Sequence, residues 1–87
     1  MSSRYRHGVI EYVGDEAGVR GREEWMLTVA EDGTRTLRAH CRMFDTAIER
    51  DVVHTAAPDF RPLRSFVSHR VGGEFLGEGW FVFGPDA

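Results

Sequence analysis

Residues 22–44 read REEWMLTVAEDGTRTLRAHCRMF, two long runs of alternating character joined by Glu31-Asp32-Gly33. Their period is two, the signature of half-buried strands, and Asp-Gly between such runs predicts a hairpin. A two-residue turn would set Trp25 opposite His40 and Leu27 opposite Arg38. A three-residue loop with a glycine bulge instead pairs Trp25 with Ala39, Leu27 with Leu37 and Val29 with Arg35. The bulged loop gathers Trp25, Leu27, Val29, Leu37, Ala39, Cys41 and Met43 on one face. It leaves Glu24, Met26, Thr28, Thr36, Arg38, His40 and Arg42 on the other. A slip of one residue would mix these sets, so burial selects the bulged loop.

The same alternation runs through the rest of the chain. HGVIEYVG (7–14) reads as a first strand and GDEAGVRG (14–21) as a polar loop. AIERDVVHTA (47–56) reads as a fourth strand after a tight Asp45-Thr46 turn, although its opening resembles a helical turn. That turn pairs Met43 with Ile48, Cys41 with Arg50, Ala39 with Val52 and Leu37 with His54. On the opposite face it pairs Arg42 with Glu49 and His40 with Asp51, a ladder of opposite charges. APDFRP (57–62) is a proline-bounded loop, and LRSFVSHRV, Gly72-Gly73 and EFLGEGWFVF form a last hairpin. Both faces of GWFVF are apolar, so the register of that hairpin stays open. Gly77 and Gly79 predict a bend, a bulge or a large side chain lying across the backbone, with Phe66, Trp80 and Phe81 as candidates.

These readings predict an all-β fold, an antiparallel up-and-down meander of about six strands forming a single domain over residues 1–87. At 87 residues the chain buries only about 60–65% of its unfolded surface. One sheet without helices has a face left to cover. The expectation is therefore part of a barrel or sandwich completed by a partner chain, a homo-oligomer of dimeric type, or else the front half of a longer protein. Phe75, Trp80, Phe81, Val82 and Phe83 are the expected interface.

Composition narrows the function classes. A net charge of −3 offers no electrostatic reason for nucleic acid or an acidic membrane surface. The eleven basic residues are all arginine, and Lys, Asn and Gln are absent, as in the GC-rich coding of many bacteria. A single cysteine, Cys41, rules out an internal disulfide and a CxxC metal site. MSSRYRHGVIEYVG has no apolar leader core, and no run approaches ~18 apolar residues, so a soluble cytoplasmic protein is expected.

Motif chemistry is sparse. VGGEFLGEGW lacks the spacing of a phosphate loop. His7, His40, His54 and His69 show no HxH or HxxxH pairing, and neither metal nor cofactor is called for. His40 and Cys41 point to opposite faces, as do Glu23 and Glu24, so neither pair is a catalytic dyad. Cys41 reads as a small buried hydrophobe. Arg50 and His54 are polar intruders on the apolar face. With Trp25, Leu27 and Met43 they make the expected lining of a small-molecule pocket. An enzyme is the third reading, with His54 as acid or base and Arg50 holding an anionic group.

The tight-turned meander, and the hairpin RPLRSFVSHRVGGEFLGEGWFVF over the last third of the chain, resemble lipocalin-like barrel proteins of unknown function. The lipocalin signature near the first strand is absent. The resemblance implies an apolar or amphipathic small molecule bound inside a barrel.

Overall fold

The computed structural model describes residues 3–14 and 18–85. Six strands, β1 (Arg4–Gly14), β2 (Gly18–Val29), β3 (Arg35–Met43), β4 (Ile48–Ala56), β5 (Pro62–Val71) and β6 (Glu74–Val82), lie side by side in chain order, each antiparallel to the next. Strands β1 and β6 do not touch, so the sheet stays open with two edges. No helix of the described residues is long and apolar enough to cross a membrane.

The central register is the one that burial selects. Trp25 pairs with Ala39, Leu27 with Leu37 and Val29 with Arg35. Cys41 pairs with Arg50, Ala39 with Val52 and Leu37 with His54. The connection between β2 and β3 is the bulged three-residue loop. Gly33 N–H donates to Ala30 O at 2.9 Å, Ala30 N–H donates to Thr34 O at 2.9 Å, and Gly33 sits at φ 88°. Asp32 Oδ1 accepts from Thr34 N–H at 2.8 Å, and these bonds hold its carboxyl below the usual range.

The β4–β5 loop repeats this design in a different sequence. Phe60 N–H donates to Ala57 O, Ala57 N–H to Arg61 O, both at 2.8 Å, and Arg61 N–H to Asp59 Oδ1 at 3.1 Å. Phe60 thus occupies the position of Gly33, with φ 69°. A left-handed backbone at a bulky residue costs about 1–2 kcal/mol. The two loops abut at one end of the sheet, where a Cβ on Gly33 would lie 3.0 Å from the Pro58 ring.

Two segments differ from the sequence reading. Strand β2 begins at Gly18, so residues 18–21 of the expected polar loop are strand, and β1 starts at Arg4. A register shift at Tyr12/Val13 absorbs the extra residue and lets the pairing run on to Gly14 and Gly18. Residues 15–17 of that loop lie outside the described residues. The β3–β4 turn spans Phe44–Thr46 and places Ala47 at φ 58°. It is clamped by Phe44 N–H donating to Arg20 O and by Arg20 Nε–H donating to Asp45 Oδ2 at 2.7 Å.

The last hairpin is closed by Gly72 and Gly73, both at positive φ, as a two-residue hairpin turn of the primed kind requires. Phe66 pairs with Trp80 and Val67 with Gly79, and a shift between His69 and Arg70 leaves Leu76 unpaired. Both readings of the glycines hold here. A bulge lies beside Gly77, and the Phe81 ring covers Gly79, where a Cβ would come within 2.9 Å of it.

Candidate functional site: an apolar face without a cover

Pairing through the sheet sorts the side chains onto two faces. One carries Trp25, Leu27, Leu37, Ala39, Val52 and Val67 across its middle, with Cys41, Met43, Ile48 and Phe81 beside them. The other carries His40, Glu49, Asp51 and Arg70 at its centre.

The His40 face is internally neutralised. Asp51 Oδ1 meets His40 Nδ1 at 2.6 Å, and its Oδ2 accepts from Arg70 at 3.1 Å. Glu49 Oε2 accepts from the same guanidinium at 3.0 Å and faces His40 Nε2 at 3.5 Å. The hydrogen bond from His40, with Arg70 behind it, lowers the Asp51 pKa, and that from Arg70 lowers the Glu49 pKa. Arg70 is raised in turn by Glu49. Beside this network Phe66 and Trp80 pack with ring centroids 4.3 Å apart, next to a cleft of about 130 Å³ that Val53 and Thr55 also line.

The Trp25 face has no such closure. The Trp25 indole lies flat over Gly8, whose Cβ, if present, would sit 2.6 Å from it, and Met43 likewise covers Gly21. Tyr12 O–H donates to Glu23 Oε1 at 3.3 Å, and desolvation, then Glu23, raises its pKa. An open furrow of about 410 Å³ runs along β6, floored by Gly77 and Gly79 and walled by Val67, His69, Leu76 and Phe81. Yet among the described residues no large side chain is fully buried, and the buried hydrophobic residues are only Val29, Ala56 and Ala57.

The accessible surface, 6318 Å², makes the deficit quantitative. A compact chain of this mass exposes about 5,200 Å². The radius of gyration is 15.3 Å, against about 12 Å for a compact domain of this length. The excess, about 1,100 Å², is comparable with the ~800 Å² each partner contributes to a standard protein–protein interface.

The residues singled out from the sequence fall as follows. Trp25, Leu27, Met43, Arg50 and His54 share the Trp25 face, arranged on one layer. Arg50 and His54 flank Val52, and each has a polar neighbour on β5, His69 opposite Arg50 and Ser65 opposite His54. Cys41 is half-exposed between Glu23 and Arg50, not buried, because nothing packs over its face. The C-terminal aromatic set divides between faces. Phe81 lies on the Trp25 face, and Phe75, Trp80 and Val82 lie on the other. Trp80 is 74% exposed and Val82 87%.

Sequence reasoning passed over Gly8, His69 and a group of arginines at the end of the sheet. Gly8 had a signal, a lone glycine inside a strand. The others depend on pairings between elements. Among the described residues no group of three or more His, Cys, Asp or Glu side chains is placed to hold a metal ion. No known protein family matches the chain, and neither does any curated protein or solved structure.

Proposed function

We propose that this chain is an assembly module whose Trp25 face is covered by a second copy of itself, the two sheets packing face to face. The observation that carries this reading is an apolar band, Trp25, Ala39, Val52 and Val67 with Leu27 and Leu37 beside it, on a sheet face that no second layer covers among the described residues. Antiparallel sheets with one apolar face pack that face against another layer about 10 Å away. The exposed excess is of the size one partner contributes to a standard interface, and the charges at the centre of the opposite face are already paired within the chain. An isologous pair about a two-fold axis is the simplest closure. The bare furrow over Gly77 and Gly79 provides a recess for side chains from the partner.

The test is absolute mass by light scattering across a dilution series, with thermal melts at each concentration. A dimer or larger whose melting temperature rises with concentration is the expected result, because association stabilises only the folded chain. A cooperatively folded monomer with a concentration-independent melt overturns the proposal.

A second reading rests on Arg50, His54 and His69, which bring polar groups onto the apolar face without a carboxylate ion pair among the described residues. Between two stacked sheets they would bind the polar end of an amphipathic small molecule, in the manner that the lipocalin-like resemblance implies. Saturable binding of a fluorescent fatty acid, lost in Arg50→Ala with the dimer intact, is the outcome expected of that reading.

A further inference from the structure

Three arginines converge at the end of the sheet where the two matched loops abut. Arg4 and Arg35 flank Val29 on the Trp25 face, one strand to either side, and Arg6 stands over the neighbouring Leu27. Strands are about 4.8 Å apart, so Arg4 and Arg35 start about 10 Å from each other, within reach of a common point for two such long side chains. Together with Tyr5, Leu27 and Val29 these three line one pocket of about 120 Å³. Arg20 and Arg70 are neutralised by carboxylates, but among the described residues Arg4, Arg6 and Arg35 have no carboxylate partner.

Arg35 is also held in an unusual way. Its Nε is buried without a hydrogen-bond partner, and its guanidinium carbon lies 4.4 Å from the Phe60 ring centroid. Phe60 presents that ring from the left-handed conformation that Gly33 adopts in the sister loop. Strained backbone and an orphaned buried donor are the marks of a group kept ready for a ligand. Stacking on the ring orients the guanidinium plane and leaves its other edges for an acceptor.

We propose that Arg4, Arg6 and Arg35 form a binding site for a phosphate group, with Phe60 as the positioning residue for Arg35. Three guanidinia supply more donor edges than the two oxygens of a carboxylate use. A phosphate dianion offers more oxygens and a second charge to the same cluster. The three arginines belong to one chain and stand at one end of the Trp25 face, so the site needs no residue from a second copy and requires only that a copy covering the apolar middle leave that end open.

The experiment is a titration of the full chain with inorganic phosphate, and separately with methyl phosphate, at constant ionic strength, following the arginine Nε–H resonances by NMR. Saturating shifts at Arg4, Arg6 and Arg35 are expected, with Arg38, on the opposite face, unmoved. Arg35→Ala weakens the half-saturation point at least about tenfold, in line with loss of a charge-assisted bidentate contact. Arg6→Gln, on the exposed edge strand, weakens it with the fold intact, and Arg38→Gln leaves it unchanged. Phe60→Leu weakens binding through Arg35 while the Arg4 and Arg6 shifts persist. Binding of both anions marks a site open to phosphomonoesters, and binding of phosphate alone marks one for the free ion. Linear drift at all arginines alike, or saturation that Arg35→Ala and Arg6→Gln leave unmoved, overturns the proposal.

Discussion

The two faces of this sheet handle polar and apolar surface in opposite ways. On the His40 face, the central charges are paired within one chain across β3, β4 and β5, while Phe75, Trp80 and Val82 of β6 stay exposed at its margin. On the Trp25 face, apolar side chains lie flat over glycines and over one another, and no layer covers them. Charges can be paired within a single sheet because cross-strand partners are only about 5 Å apart. Apolar surface cannot be covered that way, because exclusion of water from a sheet needs a second layer. The difference locates where this chain is unfinished as an isolated object.

A charge placed on either face breaks or confirms this contrast most directly. Val52→Asp, at the middle of the Trp25 face between Ala39 and Val67, is expected to abolish association. It should also destabilise the assembled protein by about 3 kcal/mol or more, the scale for a buried unpaired charge. Arg38→Asp on the other face should change stability by less than about 0.5 kcal/mol. Light scattering and urea melts of the two variants check the pair, and equal effects would erase the distinction between faces.

Next in size is Gly8→Ala. Its methyl group would sit 2.6 Å from the Trp25 ring, so the indole must shift, at about 1–3 kcal/mol. A blue or red shift of tryptophan emission together with a lowered melting temperature is the expected signature. An unchanged melt would mean that the indole does not rest on Gly8.

Acid probes the His40 face, together with the turn carboxylates Asp32 and Asp45, whose pKa values Thr34 and Arg20 also lower. The Asp51 and Glu49 pKa values are lowered by His40 and Arg70, so their contribution is fully present above the ordinary carboxylate range. It is lost as pH falls through the lowered folded values, when the unfolded chain binds more protons than the folded one. Stability should therefore drop below about pH 4. Arg70→Met should flatten that drop, which melts between pH 2 and pH 6, as an approximate span around this range, would read out.

The smallest effect is expected where the two loops meet. Phe60→Gly relieves left-handed strain of about 1 kcal/mol and forfeits a cation–π contact of about 0.5–1 kcal/mol with Arg35, leaving stability nearly unchanged. Gly33→Ala in the sister loop, at φ 88° and 3.0 Å from Pro58, should instead destabilise by about 1 kcal/mol. Chemical denaturation of both variants tests whether one backbone design is occupied for a structural reason at Gly33 and for a positioning reason at Phe60.

Legibility in the sequence followed a simple physical divide. Where one face is apolar and the other charged, a register slip is heavily penalised, so the pairing of β2 with β3 and of β3 with β4 could be read from residues 22–56. In β6 both faces are apolar, no slip is penalised, and Leu76 could be bulged out without any sign in the pattern. The loop at Glu31-Asp32-Gly33 was readable from its glycine. Its twin was hidden because a phenylalanine stands in the glycine position.

The sequence by itself thus determined the strand class, the central register and the division into an apolar and a charged face, because each follows from neighbours along the chain and the pleat's period of two. Only the tertiary structure decided that the sheet stays open, that Phe81 and Trp80 part to opposite faces, and that Arg4, Arg6 and Arg35 share one pocket under the hold of Phe60. Those features depend on distances between residues far apart in the chain, which alternation alone does not encode.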